Sequence, residues 1–562
     1  MGREVELRRV RKNLEKIRDS TRLTINEALR PSLRPLKILD LPDELLRHIF
    51  LLVRGNTSMY ELAFFDMHPG DVKQIQKLRL TCKRFCETSS HLLMFYVKIN
   101  LTPESLAHLD QVAQHPLISK GIRALKVCLG RHFDSDIAHD IRAFAQYQAT
   151  RLRSHIEGWE MIVQHPSIFD HTPPEVVQRA IDRAVSVSES FEAAAQHGVN
   201  ENCREHVLLG KAQEIYRQGY GSQLLLHGGA FAQAIASAMV RMPTASWLNI
   251  QDEDIYSSFA AKNRLQAFCP EDLENYDMLQ LKLQAPNFSW SMARYQGLRS
   301  PPADVIPSIL LSTGEAGTGL IGLDIDIPPP DNLSSLSAAQ VEPPKLQAAS
   351  QQLRSFTFRP RRGESLPMET LSVLRGFLAT IIHTSSLQRI SLCFDFMYEA
   401  ISGQPTVSMA PILLSHAWPS LRELEFNGPF YFEDLQKVVN SIVEHVTLQW
   451  SGYLMDASWV EVLDFLRGHG SCAGITLGDV NGSIAGAECE HMTREEVDFI
   501  FSRSVSKGHW RSMGRATEYV QGWTTQNPIV DWENGELEMP QPIAEDEEDQ
   551  ETESVTDDQV PD

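Results

Sequence analysis

Cys82 and Cys86, one helical turn apart, are the residues of this chain most suggestive of metal chemistry, since two thiolates at that spacing can share a zinc ion. A second pair of Cys or His at suitable spacing is missing from the sequence. His469 near Cys472, and Cys489 near His491, have no companions. His227-Gly228-Gly229 has the form of an esterase oxyanion loop, whose backbone N–H groups hold a developing negative charge. Such a loop works beside a Gly-x-Ser-x-Gly elbow, and Gly482-Ser483-Ile484-Ala485-Gly486 lacks the spacer before its serine. Gly314-Glu315-Ala316-Gly317-Thr318-Gly319 is rich enough in glycine for a phosphate loop, but no Gly-Lys-Ser/Thr follows. Paired carboxylates are too common in an acidic chain to single any out. The expectation is a protein without catalytic residues, metal or cofactor, and not an enzyme.

Charge is spread unevenly. The 562 residues carry a net charge of −21, yet residues 1–37 hold eleven basic and five acidic side chains. Residues 545–562 hold ten acidic and no basic ones, which leaves −17 for the body between. So acidic a body argues against nucleic acid as a ligand, because phosphate binding needs clustered Lys and Arg. No apolar run is long enough to span a bilayer, and the first residues lack a signal-peptide core, so no membrane association is expected. Eight cysteines without regular spacing read as reduced thiols, which places the chain in the cytoplasm, the nucleus or both.

Interaction surfaces are the remaining source of function. Leu41-Pro42-Asp43-Glu44-Leu45-Leu46-Arg47-His48-Ile49-Phe50 begins a helix, with Pro42 suited to its start and Asp43 and Glu44 favouring its positive end. Leu45, Ile49 and Leu52 make one apolar stripe, and Leu46, Phe50 and Val53 a second beside it. A small domain can bury one stripe, so the other needs a partner. Further along, Ile75, Leu78, Cys82 and Phe85 recur at helical spacing with Lys77, Arg79, Lys83 and Arg84 on the wetter sides.

These two segments resemble the F-box, a helical module that docks on the Skp adaptor of SCF-type cullin–RING ubiquitin ligases. The resemblance rests on Leu41-Pro42-x-Glu44-Leu45-Leu46-x-x-Ile49-Phe50 and on Leu78-Arg79-x-x-Cys82-Lys83-x-Phe85. Phe85 stands where many F-boxes carry tryptophan, and the stretch from Arg54 to Lys73 is longer than the usual link. The resemblance implies that Leu41, Pro42, Leu45, Ile49, Phe50, Leu78, Cys82 and Phe85 face the adaptor. It also implies that the rest of the chain captures a substrate protein of unknown identity, so that ubiquitin transfer is accelerated by proximity. An F-box scaffold acting outside a ligase is the alternative, and a hydrolase with an F-box appendage a third reading.

Downstream, Gly121 to Leu129 alternates like a half-buried strand, and 136–238 is mostly helical. Leu353-x-x-Phe356-x-Phe358 then shares its spacing with Leu387-x-x-Ile390-x-Leu392, Leu421-x-x-Leu424-x-Phe426 and Val443-x-x-Val446-x-Leu448. Weaker copies are Ile122-x-x-Leu125-x-Val127, Ala245-x-x-Leu248-x-Ile250 and Cys472-x-x-Ile475-x-Leu477. Helical segments between them predict stacked strand–helix units and a largely parallel sheet. The pattern is similar to a degenerate leucine-rich repeat, though Arg361, Asp395 or Pro429 stands where asparagine is expected.

The expected fold class is therefore α/β, a small helical F-box module followed by an irregular leucine-rich-repeat-like strand/helix array with a helical insertion. The expected divisions are a basic arm (1–37), the F-box (38–100), a strand plus helical region (101–298) and a Pro/Ser/Gly-rich linker or insertion (299–350). The repeat-like region (351–540) and an acidic disordered tail (541–562) follow. Substrate choice is expected at loops near the strand ends, close to Phe430, Tyr431, Trp450 and Tyr453.

Overall fold

A computed structural model describes residues 16–18, 20–21, 24, 37–55, 69–129, 133–164, 174–224, 229–251, 273, 275–284, 303–327, 336, 342–359, 368–394, 410–427, 431–441, 447–450, 457–469, 474–476, 494–501, 505–506, 509–510 and 514–537. The chain divides into two compact units. The first comprises Met1–Val97, Gln111–Ala124 and Arg241–Ala245, and the second the remainder. Most of the basic arm, residues 56–68 and the acidic tail lie outside the described residues.

In the first unit, helices α1 (Asp43–Arg54), α2 (Pro69–Arg79) and α3 (Lys83–Ser89) pack together. Pro42 is the N-cap of α1, one residue earlier than expected, and Asp43 and Glu44 fill its first turn. Gly55 ends the helix at φ +87°, a conformation that costs glycine little. Ile75 to Phe85 is broken at Leu80–Cys82 rather than running as one helix, and Cys82 restarts the chain by capping α3. Strand β1 is Tyr96–Asn100, α4 is Pro103–Gln114 and β2 is Ala124–Cys128. All five residues of β2 are buried, so the expected half-exposed face does not occur.

The helical region follows as α5 (Ser135–His139), α6 (Ile141–Gln164), α7 (Pro174–His197), α8 (Arg204–Leu224) and α9 (Ala230–Arg241). The long pair α6 and α7 packs closely, and Phe144, Leu152, Ala184, Val187, Phe191 and Tyr216 sit in its core. Polar groups buried there are tied down. Tyr216 accepts a hydrogen bond from the Asp134 amide at 2.9 Å, and the Arg151 guanidinium donates to the carbonyl of Lys282 at 2.9 Å. Lys282 belongs to the short helix α10 (Tyr276–Leu283).

Seven strands of the second unit pair in parallel and in chain order. They are β3 (Trp247–Gln251), β4 (Gly322–Asp326), β5 (Ser355–Phe358), β6 (Arg389–Cys393), β7 (Glu423–Asn427), β8 (Thr447–Trp450) and β9 (Gly474–Thr476). Between them lie α11 (Val305–Glu315), α12 (Pro343–Ser350), α13 (Met368–Ile381), α14 (Ala410–Leu413), α15 (Phe432–Ser441) and α16 (Trp459–Gly468). Each helix from α11 to α15 packs on the next, which is how parallel crossovers bury their apolar sides. Beyond β9 come α17 (Arg494–Phe501), the two-residue strands β10 (Val505–Ser506) and β11 (His509–Trp510), α18 (Arg515–Val520) and α19 (Pro528–Glu533). Among the described residues no helix is long and apolar enough to cross a membrane.

Period-2 alternation sorts the sheet into two faces. Leu248, Leu323, Phe356, Ile390, Leu424, Leu448 and Ile475 occupy one register row, and Ile250, Ile325, Phe358, Leu392, Phe426 and Trp450 another. The intervening row is polar throughout: Asn249, Asp324, Thr357, Ser391, Glu425, Gln449 and Thr476.

Residues 299–350 do not behave as a linker, because their described part contributes α11, β4 and α12 to this architecture. Their prolines and glycines have structural posts. Pro343 and Pro344 open α12, Pro307 is in the first turn of α11, and Gly317 turns the chain at φ +73°. A Cβ at Gly314 would lie 2.5 Å from that of Ala349, so glycine lets α11 and α12 approach. The Gly314–Gly319 run is thus a helix end and turn leading to β4, with no phosphate-loop form.

Candidate partner-docking site

The two stripes of α1 part company in the structure. Leu46, Phe50 and Arg54, spaced by four, point into the first unit and are buried. Leu46 and Phe50 pack with Ile75, Phe85, Leu92 and Phe95, and the Phe50 and Phe85 rings meet edge-to-face at 5.0 Å. Arg54 closes this core. Its Nε donates to the carbonyl of Leu92 at 3.1 Å, and its guanidinium lies 5.0 Å from the centre of the Phe95 ring.

Leu45, 51% exposed, and Leu52, 66% exposed, project from the opposite side, with Val53 also exposed and Ile49 half-buried between. Leu80, in the turn after α2, is 88% exposed. Ile38 and Leu39, in the 3-10 turn before α1, are exposed too. Large apolar side chains seldom gather on a surface that stays wet, so this face has the character of an interface. Exposed charges on these helices are mixed: Arg47, Lys73, Lys77 and Lys83 stand beside Glu44 and Glu87, with Lys83 4.0 Å from Glu87.

Arg84 holds this face in shape. Its Nε donates to Asp43 at 2.9 Å, its Nη2 to the carbonyl of Leu41 at 2.6 Å, and its Nη1 to the carbonyl of Leu39. One guanidinium thereby ties α3 to the entry of α1, across forty residues of sequence. Cys82 has a matching local role, its Sγ accepting from the Phe85 amide at 3.4 Å as the α3 cap. Cys86 contacts Ser90 rather than Cys82. Arg79 donates to Ser90 Oγ at 3.0 Å, which ties the end of α2 to the turn after α3. His91 stands nearby with its imidazole held below the ordinary range by burial and by Arg47 and Arg123.

Of the eight residues expected to face an adaptor, six reach the surface. Pro42 and Leu45 are exposed, while Leu41, Ile49, Leu78 and Cys82 are half-buried. Phe50 and Phe85 are corrected to core residues, since each is spent on the other and on Leu46 and Ile75. Arg54 is likewise core and ends α1, and Pro69 already begins α2, so the lengthened link narrows to 56–68. Leu80 and the clamp residue Arg84 were missed as site residues. Arg84 fills the open position of the Cys82-Lys83-x-Phe85 motif and was named only as a residue of the wetter sides, since nothing local in the sequence pairs it with Asp43.

The second expected site is placed only in part. Phe430 and Tyr453 lie outside the described residues, and Tyr431 is half-buried before α15. Trp450 pairs with Phe426 and so occupies the apolar row rather than a loop. On the face that carries the polar row, Arg359 spans from the end of β5 to Glu425 of β7 at 2.9 Å, and Arg389 pairs with Glu423 at 3.1 Å. Asp324 is buried, accepts from Trp247 Nε1 at 2.6 Å, and has its pKa pushed up to about 6 by burial. Among the described residues no group of three or more His, Cys, Asp or Glu is arranged to hold a metal ion. A scan against protein-family models, a search of curated proteins and a search of solved structures each return no match to this chain.

Proposed function

We propose that the chain is a substrate-recognition adaptor of an SCF-type cullin–RING ubiquitin ligase, docking on the Skp adaptor through an F-box formed by α1 to α3. The repeat-like sheet domain, an irregular relative of leucine-rich repeats in this reading, captures the substrate. The observation that carries it is the division of α1: one apolar stripe fills the core, and Leu45, Ile49 and Leu52 remain to be covered by another protein. Catalysis in this role is positional, holding a substrate lysine near a conjugating enzyme bound elsewhere in the assembly.

Leu45→Asp with Ile49→Asp tests the reading. Each carboxylate enters a contact from which water is excluded, at a cost of several kcal/mol. Capture of the Skp adaptor and of a cullin should be abolished while the sheet domain stays folded. Undiminished capture would overturn the assignment. Capture of the Skp adaptor without a cullin by the unaltered chain would favour a scaffold outside the ligase.

A further inference from the structure

Within the first unit, the 3-10 turn Ser90–Leu92 packs both on α1 and on a second 3-10 turn, Ser119–Gly121. Gly121 lies so close to the carbonyl of His91 that no side chain would fit there. Just beyond, the Arg123 amide donates to the carbonyl of Phe95 at 2.7 Å. Thr244 Oγ1 donates to the carbonyls of Lys120 at 3.0 Å and Ile122 at 2.7 Å. Three segments of the chain thus fix the backbone of this junction.

Cations collect on it. Arg47 of α1, Lys120 and Arg123 are exposed, and Arg79 at the end of α2 donates to Ser90 Oγ at 3.0 Å. The Arg123 guanidinium stands 5.9 Å from the centre of the Phe95 ring. Burial, and then Arg47 and Arg123, hold the His91 imidazole below its ordinary range, so both guanidinium groups act on this turn. Among the described residues none of the four cations is paired with a carboxylate. Asp43 is held by Arg84 at 2.8 Å, Glu87 is 4.0 Å from Lys83, and Glu44, three residues before Arg47, makes no ion pair with it. Segments 88–97, 111–124 and 241–245, which meet here, contain no Asp or Glu. Uncompensated like charge at one place raises the energy of the fold until an anion joins it.

The arrangement selects among anions. The cations come from three separate elements, α1, the end of α2 and the turn before β2, which suits a string of carboxylates better than one compact anion. Nucleic acid is disfavoured by a chain whose net charge is −21. The outward stripe of α1 is not involved. At about 100° per residue, Arg47 lies about 140° around the helix from Leu52 and about 160° from Leu45.

We propose that Arg47, Arg79, Lys120 and Arg123, gathered round the turn that carries His91, form a docking site for an acidic segment of a partner protein. The site is separate from the apolar adaptor-docking face and does not depend on the reading of that face.

The test is fluorescence anisotropy of the full chain with a labelled peptide of alternating Glu and Gly, beside a labelled single-stranded oligonucleotide. The peptide should bind, more weakly as salt rises. Arg47→Gln with Arg123→Gln should weaken it about tenfold or more at an unchanged unfolding temperature. Lys73→Gln with Lys83→Gln, which removes the same charge from elsewhere on these helices, should leave binding as it was, and so should Leu45→Ser with Leu52→Ser. Failure of the peptide to bind would overturn the proposal. Equal binding by the double arginine variant, or equal weakening by the lysine control, would overturn it too, reducing the effect to total charge. Binding that appears only after residues 541–562 are removed would assign the patch to this chain's own tail, and an oligonucleotide held as tightly as the peptide would assign it to nucleic acid; either result overturns the proposal.

Discussion

Leucine serves opposite ends in two regions of this molecule. In the sheet, Leu248, Leu323 and Leu424 are buried by other parts of the same chain. On α1, Leu46 is buried by the same means, but Leu45 and Leu52 of the same helix remain in water. The difference lies in what each region can cover. A parallel sheet brings one helix for every strand, and so completes itself. Three short helices enclose a single stripe, and a second stripe on α1 exceeds what they can hide.

The sharpest way to break that comparison is to treat the sheet as if it were the surface. Phe356→Ala, in the centre of the apolar row, should cost about 3–5 kcal/mol and lower the unfolding temperature steeply, as read by circular dichroism. A cost near zero would mean that the helices do not seal the row.

Asp324→Asn probes the polar face next to it. The folded-state pKa of about 6 stands above the ordinary 3.8, so the fold holds a proton that the unfolded chain releases across that interval. Stability therefore falls as pH rises from about 4 to 6 and then levels. Asparagine still accepts from Trp247 and carries no charge, so it should flatten this dependence and add about 1–3 kcal/mol at neutral pH. Urea midpoints on either side of the interval measure it, and an unchanged slope would show that Arg359 and Arg389 already neutralise the carboxylate.

Arg84→Ala addresses the surface module. It removes the links to Asp43, Leu41 and Leu39, at about 1–2 kcal/mol given that the guanidinium is partly wet. Hydrogen exchange at the start of α1 should rise while the sheet is untouched. Protection unchanged at α1 would show that helix packing alone sets the entry of the chain.

Much of this organisation was legible in the sequence, and the misses have physical causes. The L-x-x-L-x-L spacing located β2, β3, β5, β6, β7, β8 and β9, since alternation marks one buried face whatever the sequence in between. Leu320-x-x-Leu323-x-Ile325 carries the same spacing and forms β4, but Pro and Gly around it suggested a linker. Proline at a helix start and glycine at a close approach look in sequence like disorder, and only packing separates the two. On α1 the existence of two stripes was plain, yet which one is inside depends on Ile75, Phe85 and Phe95, whose placement no local pattern encodes. Phe50 and Phe85 went to the wrong side for that reason.

The central claim is that Leu45 and Leu52, on the outward side of α1, serve a partner and contribute little to the fold. Leu45→Ser with Leu52→Ser tests it most directly, by titration calorimetry against the purified Skp adaptor alongside thermal unfolding of the same preparation. The account predicts an unfolding temperature within the range of ordinary surface changes, about 0.5 kcal/mol, and an affinity lower by at least about tenfold. An unfolding temperature lowered as far as Leu46→Ala lowers it, or an affinity unchanged from the native chain, would contradict the account.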